Sequence, residues 1–167
     1  MDGNCYNCPL MDTLFTEYLN RLTLLHDGLK ATIADLPQAA LDWTPGPEMN
    51  SLAVLLVHVA EAERYWLATL VGGEPSERVR AEEFKAVGVT AVSLIHLLDD
   101  ALAQNRAVLA RLTLADLEVV RESAVHNGRS YRAAYSFLHA LEHTALHLGH
   151  AQITRQMWEQ KQLAVGS

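Results

Sequence analysis

The sequence predicts an all-α protein built as a four-helix bundle. Apolar residues recur at three- and four-residue spacing in four long stretches, which is the period of an amphipathic helix. No stretch shows convincing alternation of apolar and polar residues bounded by turns, so we expect no sheet of consequence. Four helices of roughly 20–30 residues would bury their apolar stripes by packing together as a bundle.

The first two predicted helices are separated by a helix-breaking segment. The first helix runs from about Asp12 to Leu36, and three prolines and a glycine follow it. These residues exclude a continuous helix. Ser51, or the asparagine before it, can cap a second helix, which ends at the glycine pair 72–73.

The last two predicted helices each follow a polar connection. Residues 73–88 are charged and irregular, so we expect them to cross the surface. Thr90 can cap a third helix that ends near Leu112, and a fourth helix runs from Ser130 to about Lys161. Both connections are long enough for a crossover, so a simple up-down-up-down order is not required.

The length of 167 residues predicts one domain. We place it at residues 12–162, between a flexible tail at 1–11 and a short C-terminal tail at 163–167. Cys5 and Cys8 form a C-x-x-C in the first tail, without the second pair of a zinc site or the βαβ context of a redox site. We therefore expect a loose, reduced tail, while a clip or an oxidisable pair stays open.

Charge and hydropathy exclude several classes of partner. The net charge of -7 argues against nucleic acid and anionic membranes, which need a basic surface. No apolar run approaches the roughly 18–20 residues of a membrane span. The N-terminus lacks the basic and apolar regions of a signal peptide, so we expect a cytoplasmic protein.

Four of the eight histidines fall within "HALEHTALHLGH", residues 139–150. On a helix, His139, His143, His147 and His150 lie at about 0°, 40°, 80° and 20°, and so share one face. Histidines four residues apart can reach the same metal ion. The 139/143 and 143/147 pairs are both competent, and the spacing alone does not choose between them.

A third histidine, His58, lies in the apolar context "LAVLLVHVAEAERYW" of the second helix. Taken alone, it is more typical of a core histidine that is hydrogen-bonded locally. Together with a histidine pair on another helix of the same bundle, it favours a metal site. Neither an E-x-x-H nor an H-E-x-x-H motif occurs, and three histidines with open coordination positions are typical of a catalytic metal.

Two segments, "LPQAALDWTPGPEMNSLAVLLVHVAEAERYWLATLVGG" and "SFLHALEHTALHLGHAQITRQM", resemble the signature regions of the DinB/YfiT-like metalloenzymes. The resemblance covers about residues 12–160. It implies a four-helix bundle with one divalent metal on His58, His143 and His147. The family's glycine lies two residues after its last ligand, and Gly149 therefore favours the 143/147 pair.

The resemblance leaves the other histidines with different expected roles. His150 stands where the family usually has glutamine, and could be a fourth ligand, a proton shuttle or a hydrogen-bonding replacement; ligation is the least favoured of these roles. His139 is expected to pack beside the site. Histidines 26, 96 and 126 are expected on the surface or in loops.

The resemblance also implies an activity. Members of the family are metal-dependent transferases of low-molecular-weight thiols such as bacillithiol or mycothiol, with a related maleylpyruvate isomerase. We therefore expect a homodimeric enzyme that transfers a thiol to an electrophile. A metal-dependent hydrolase and a non-catalytic dimeric module that binds metal or a small ligand are the alternatives. Zinc or nickel is favoured, and iron, cobalt and copper also accept three imidazoles.

The sequence assigns no catalytic residue. Glu61 and Glu142 are candidate bases, although each is more often a solvated helix carboxylate. Tyr131 and Arg132, placed at the start of the fourth helix, could contact an acidic substrate or simply belong to the surface.

Overall fold

The structure, a computed structural model, describes residues 11–165. The helices are α1 (Thr13–Ile33), α2 (Gln38–Leu41), α3 (Leu52–Arg64), α4 (Arg80–Glu83), α5 (Ala91–Leu109) and α6 (Ala133–Val165). A π-helical segment, Tyr65–Val71, continues α3, and short 3-10 helices span Leu114–Glu118 and Ala124–His126. Two strands, β1 (Val120–Ser123) and β2 (Arg129–Arg132), form a hairpin.

The four long helices form the predicted bundle. Helix α6 packs against α1 and α3, and α5 packs against the same two helices from the other side. One core cluster joins the beginnings of α1 and α6 to the ends of α3 and α5; it includes Phe15, Leu67, Leu109 and Phe137. The cluster at the other end includes Ile33, Leu52, Leu94 and Ala151. Helices α3 and α5 are therefore parallel, and the connection between them is a crossover that returns along the bundle.

Side-chain caps fix the starts of three long helices. Asp12 accepts a hydrogen bond from the Leu14 N–H at 2.9 Å. Ser51 accepts from Val54 at 3.2 Å, and Thr90 caps α5 in the same way. These caps satisfy backbone donors that the first helical turn leaves free, and they confirm the predicted starting points.

The predicted ends of the first and third helices were too late. Helix α1 ends at Ile33 because Asp35 adopts a left-handed conformation with φ of 62°, so Leu36 lies outside it. Helix α5 ends at Leu109, three residues before the predicted Leu112.

The sequence predicted no sheet of consequence, and the only sheet among residues 11–165 is a short hairpin that was not foreseen. Val120 pairs with Arg132 and Ser123 with Arg129 in an antiparallel register. Asn127 and Gly128 both have positive φ, which is the conformation that tight hairpin turns require. The fourth long helix therefore begins at Ala133 and not at Ser130.

The crossover segment 73–88 was predicted as a connection over the surface, and this is wrong for part of it. It contains α4, and the side chains of Arg78 and Glu83 are only 3% and 4% exposed. These two residues lie against α3 beside His58. The segment therefore contributes to the interior.

A buried polar cluster joins the four long helices at the centre of the bundle. Glu63 of α3 accepts hydrogen bonds from Asn105 Nδ2 of α5 at 2.7 Å, from Thr144 Oγ1 of α6 at 3.1 Å and from His26 Nε2 of α1 at 2.9 Å. His26 is fully buried, so its expected surface position is wrong. Because Glu63 accepts hydrogen bonds from all three of the other long helices, it fixes how the four helices are rotated against one another.

The C-x-x-C of Cys5 and Cys8 and the last two residues lie outside the described part of the chain. Within residues 11–165, no helix is long and apolar enough to cross a membrane.

Candidate metal centre

His58, His143 and His147 come together between α3 and α6. Each ring offers one nitrogen atom, and these three nitrogens all lie within 4.8 Å of one another. His58 Nε2 and His143 Nε2 lie 3.1 Å apart. The structure thus brings together the three histidines that the sequence selected.

The two helices produce this arrangement by packing antiparallel. His143 and His147 project from successive turns of α6 on the side that faces α3. Their ring centroids are 4.4 Å apart, and each lies 5.0 Å from the centroid of His58. His58 is buried and the other two are half-buried, so the cluster is open on one side.

The carboxylate of Glu83 orients the ring of His58. The Nδ1 atom of His58 lies 2.6 Å from Glu83 Oε2. Arg78 donates to both oxygens of Glu83, from Nε at 2.6 Å and from Nη2 at 3.0 Å. Burial would raise the pKa of Glu83, but the hydrogen bonds from His58 and Arg78 outweigh it and lower that pKa. Glu83 is therefore ionised, and it accepts the Nδ1–H of His58, so that Nε2 is the nitrogen turned toward His143.

The two α6 histidines are held neutral. Burial lowers the pKa of His143 to about 3, and the nearby His147 and His58 add to the effect. Burial also lowers the pKa of His147 to about 4, with His58 and His150 contributing. Neutral imidazoles are the form that binds a metal ion.

The donor set fits a divalent ion. Metal–nitrogen bonds of 2.0–2.1 Å at a tetrahedral angle would place two imidazole nitrogens about 3.4 Å apart, close to the 3.1 Å between His58 and His143. His147 Nδ1 is buried and makes no hydrogen bond to any described residue. A carboxylate behind a ligand histidine is the arrangement that commonly supports metal binding.

The other histidines of α6 lie beside the cluster. His150 is exposed, and its ring centroid is 5.3 Å from that of His147. His139 packs edge-on against Trp66, with centroids 4.5 Å apart, and stacks on Tyr135. Neither is part of the group of three.

The four non-histidine candidates lie away from the three nitrogens. Glu61 pairs with Arg64, and Glu142 is exposed near His139. Tyr131 and Arg132 lie on β2, so their predicted place at a helix start is wrong. Arg132 pairs with Glu118 at 2.6 Å, whereas Tyr131 packs edge-on against Trp66.

A cavity of about 200 Å³ opens beside His58 and His143. Trp66, His126, His139 and Arg78 line it together with His58 and His143. Trp66 is presented by the π-helical segment, a backbone irregularity that is frequent at functional sites.

The sequence prediction missed Arg78, Glu83 and His126. Nothing in the sequence distinguishes Glu83 from Glu82, because only the crossover decides which carboxylate meets His58. His126 lies in a loop, as expected, but the hairpin folds it back onto Trp66 at a centroid distance of 5.0 Å.

The bundle and the three-histidine cluster together define a DinB/YfiT-like protein. The chain belongs to the mycothiol-S-transferase family, which it matches over residues 18–160. This confirms the resemblance in the two signature regions. No curated protein matches the sequence.

Solved structures confirm the fold. A conserved protein from Enterococcus faecalis is similar with a TM-score of 0.70 and 17% identity, over 87% of this chain and 97% of that chain. The mycothiol-dependent maleylpyruvate isomerase is similar with a TM-score of 0.59 and 16% identity, over 80% of this chain and 59% of that chain. A histidine-to-alanine variant of that isomerase gives a TM-score of 0.60 with the same identity and coverage.

Proposed function

We propose that the protein is a metal-dependent transferase that moves a low-molecular-weight thiol, of the mycothiol type, onto an electrophilic substrate. The observation that carries the proposal is the cluster of His58, His143 and His147 in a chain of the mycothiol-S-transferase family. The cluster is open on the side of the 200 Å³ cavity, where a small molecule can approach it.

The three histidines are the proposed ligands of one divalent ion. Zinc and nickel are the favoured metals, since three imidazoles suit both. A bound divalent ion would lower the pKa of a thiol and so supply the thiolate near neutral pH.

The chain's own residues prepare the site for this chemistry. Glu83 and Arg78 hold the His58 ring so that its Nε2 faces His143. Burial keeps His143 and His147 unprotonated through lowered pKa values. Trp66 and His139 pack edge-on against each other and line the cavity beside the site.

A homodimer is also part of the proposal. Several large apolar side chains of α6 point outward; they are Leu138, Leu146 and Ile153, each more than half exposed. An apolar stripe of this kind is a reasonable contact for a second copy. Light scattering of the full chain tests it, and a monomer mass at micromolar concentration would contradict it.

The activity is tested with a panel of thiols and electrophiles. The metal-loaded protein is incubated with mycothiol, bacillithiol or glutathione and each electrophile, and conjugates are measured by mass spectrometry. We expect metal-dependent conjugate formation that chelation abolishes and that a His147→Ala variant lacks. The exposed His96 provides the matched control, and His96→Ala should keep the activity.

Two results would contradict the proposal. Metal-dependent hydrolysis of an ester or amide panel without thiol transfer would favour the hydrolase. Stoichiometric metal with no turnover of any kind would favour the non-catalytic binding module.

A further inference from the structure

A buried chain of hydrogen bonds leads from the end of α3 to the cavity. Tyr65 OH lies 2.8 Å from Ser123 Oγ, and Ser123 Oγ lies 2.7 Å from His126 Nδ1. Ser123 is fully buried and Tyr65 is nearly so. His126 is at the end of this chain and lines the cavity beside His143.

The direction of each hydrogen bond follows from the partners present. The Tyr65 oxygen accepts from the Val125 N–H at 3.3 Å, and Ser123 Oγ is the only acceptor that residues 11–165 offer for its proton. Tyr65 therefore donates to Ser123. The Ser123 proton is then directed to His126 Nδ1, its remaining partner.

This order fixes the tautomer of His126. Because Nδ1 accepts a hydrogen bond, the ring proton of the neutral imidazole resides on Nε2. Within the described part of the chain Nε2 makes no hydrogen bond. It is not one of the buried polar atoms that lack a partner, so solvent can reach it. An N–H donor is thus left free on a ring that borders the cavity.

The surroundings keep this ring neutral. Burial lowers the pKa of His126, and the positive charges of Arg78 and Arg80 lower it further. Rings also pack around it, since Trp66 lies at 5.0 Å and Tyr131 at 5.6 Å between centroids. A neutral imidazole held in one tautomer is a fixed hydrogen-bond donor, a role that neutral histidines take in polarising carbonyl groups.

We propose that His126 is a catalytic residue whose Nε2–H donates a hydrogen bond to the carbonyl oxygen of an α,β-unsaturated electrophile during thiol addition. This inference rests on the proposed function and adds to it a substrate class and a residue. The donor stabilises electrophiles whose oxygen gains negative charge as sulfur adds, and an α,β-unsaturated carbonyl compound is an electrophile of this kind.

The step balances without a further reagent. The thiol gives its proton to solvent, and the sulfur lone pair forms the new bond to the β-carbon. The alkene π pair moves toward the carbonyl, whose oxygen becomes an enolate oxygen that accepts from His126 Nε2–H. Water then protonates the α-carbon, so that one thiol and one enone give one thioether.

The kinetic test compares two electrophiles with mycothiol as the thiol. Cyclohexenone puts negative charge on its oxygen as it reacts, whereas benzyl chloride releases chloride. For His126→Leu we expect kcat with cyclohexenone to fall by about 10²–10³-fold, the usual cost of losing one such donor. The rate with benzyl chloride should change little. His126→Gln keeps an N–H near the same place and should recover part of the loss, and His96→Leu is the matched control.

A second measurement needs no turnover. Nitrogen NMR of the full chain, with the His126 signals assigned by their loss in His126→Gln, reports which ring nitrogen carries the proton. We expect the Nε2–H tautomer in the wild type. A proton on Nδ1 would overturn the inference whatever the activity.

The outcomes distinguish a failure of this inference from a failure of the proposed function. Equal loss of both reactions in His126→Leu, with metal content and helicity unchanged, overturns the role of His126 alone. Absence of metal-dependent thiol consumption in the wild type overturns the proposed function and, with it, the catalytic role.

Discussion

His58 donates its Nδ1–H to Glu83, whose Oε2 lies 2.6 Å away. This contact joins the crossover to α3, and it determines which nitrogen of His58 is free to bind. Arg78 holds Glu83 in place through two hydrogen bonds. The connection between the second and third long helices is therefore part of the candidate metal centre.

Replacing Glu83 should weaken metal binding. A Glu83→Gln variant loses the negative charge behind His58, and we expect affinity to fall by about 10–100-fold, as is usual for such supporting carboxylates. Competition with a coloured chelator measures it. Glu82→Gln is the matched control because Glu82 is adjacent and exposed, and equal affinities in the two variants would contradict the role of Glu83.

The three histidines should differ from His150 in metal content. We expect the alanine variants of His58, His143 and His147 to be purified without stoichiometric metal, because two imidazoles hold an ion weakly. His150→Ala should keep it, since His150 is outside the group of three. Elemental analysis after chelator-free purification measures the content. Full metal in His147→Ala would move the site toward His139.

Acid should destabilise the metal-free protein. In the fold the pKa values of His143 and His147 are lowered to about 3 and about 4, whereas the ordinary value is 6.5. The unfolded chain therefore binds more protons below pH 6.5, and the free energy of unfolding should fall as the pH decreases from about 6.5 toward about 4. Urea denaturation at several pH values measures this. A double His143→Gln, His147→Gln variant should show a shallower dependence, and an unchanged slope would speak against these pKa shifts.

Removing Glu63 should destabilise the bundle. Glu63→Ala leaves the donors of His26, Asn105 and Thr144 buried without their acceptor. We expect a loss of at least about 3 kcal/mol in the free energy of unfolding, because each buried donor left without its acceptor costs about 1–3 kcal/mol. Glu61→Ala is the control, because its pairing with Arg64 is partly exposed and should contribute no more than about 1 kcal/mol. Similar losses in both variants would contradict the central role of Glu63.

Local patterns in the sequence were sufficient for the bundle. The caps at Asp12, Ser51 and Thr90 depend on side chains two or three residues from the backbone groups they satisfy, so the helix starts could be predicted. The hairpin was missed because its strands have four residues each, although Asn127-Gly128 is a recognisable turn pair.

The candidate site was predictable where helical spacing determines it. The period of α6 places His139, His143 and His147 on one face, and the family resemblance then favoured the 143/147 pair. His26 could have been placed inside from its position four residues after Leu22 and three before Leu29. Glu83 could not, because its contact with His58 depends on a crossover that spans the bundle. The same holds for the Ser123–His126 contact, which requires the hairpin.

The most direct test of the metal centre is an anomalous-difference map from crystals of the full chain purified without chelators, recorded at the absorption edge of the metal it contains. We expect one strong peak about 2.0–2.1 Å from a nitrogen of each of His58, His143 and His147. No peak there, or a peak held by His139 and His150, would contradict it.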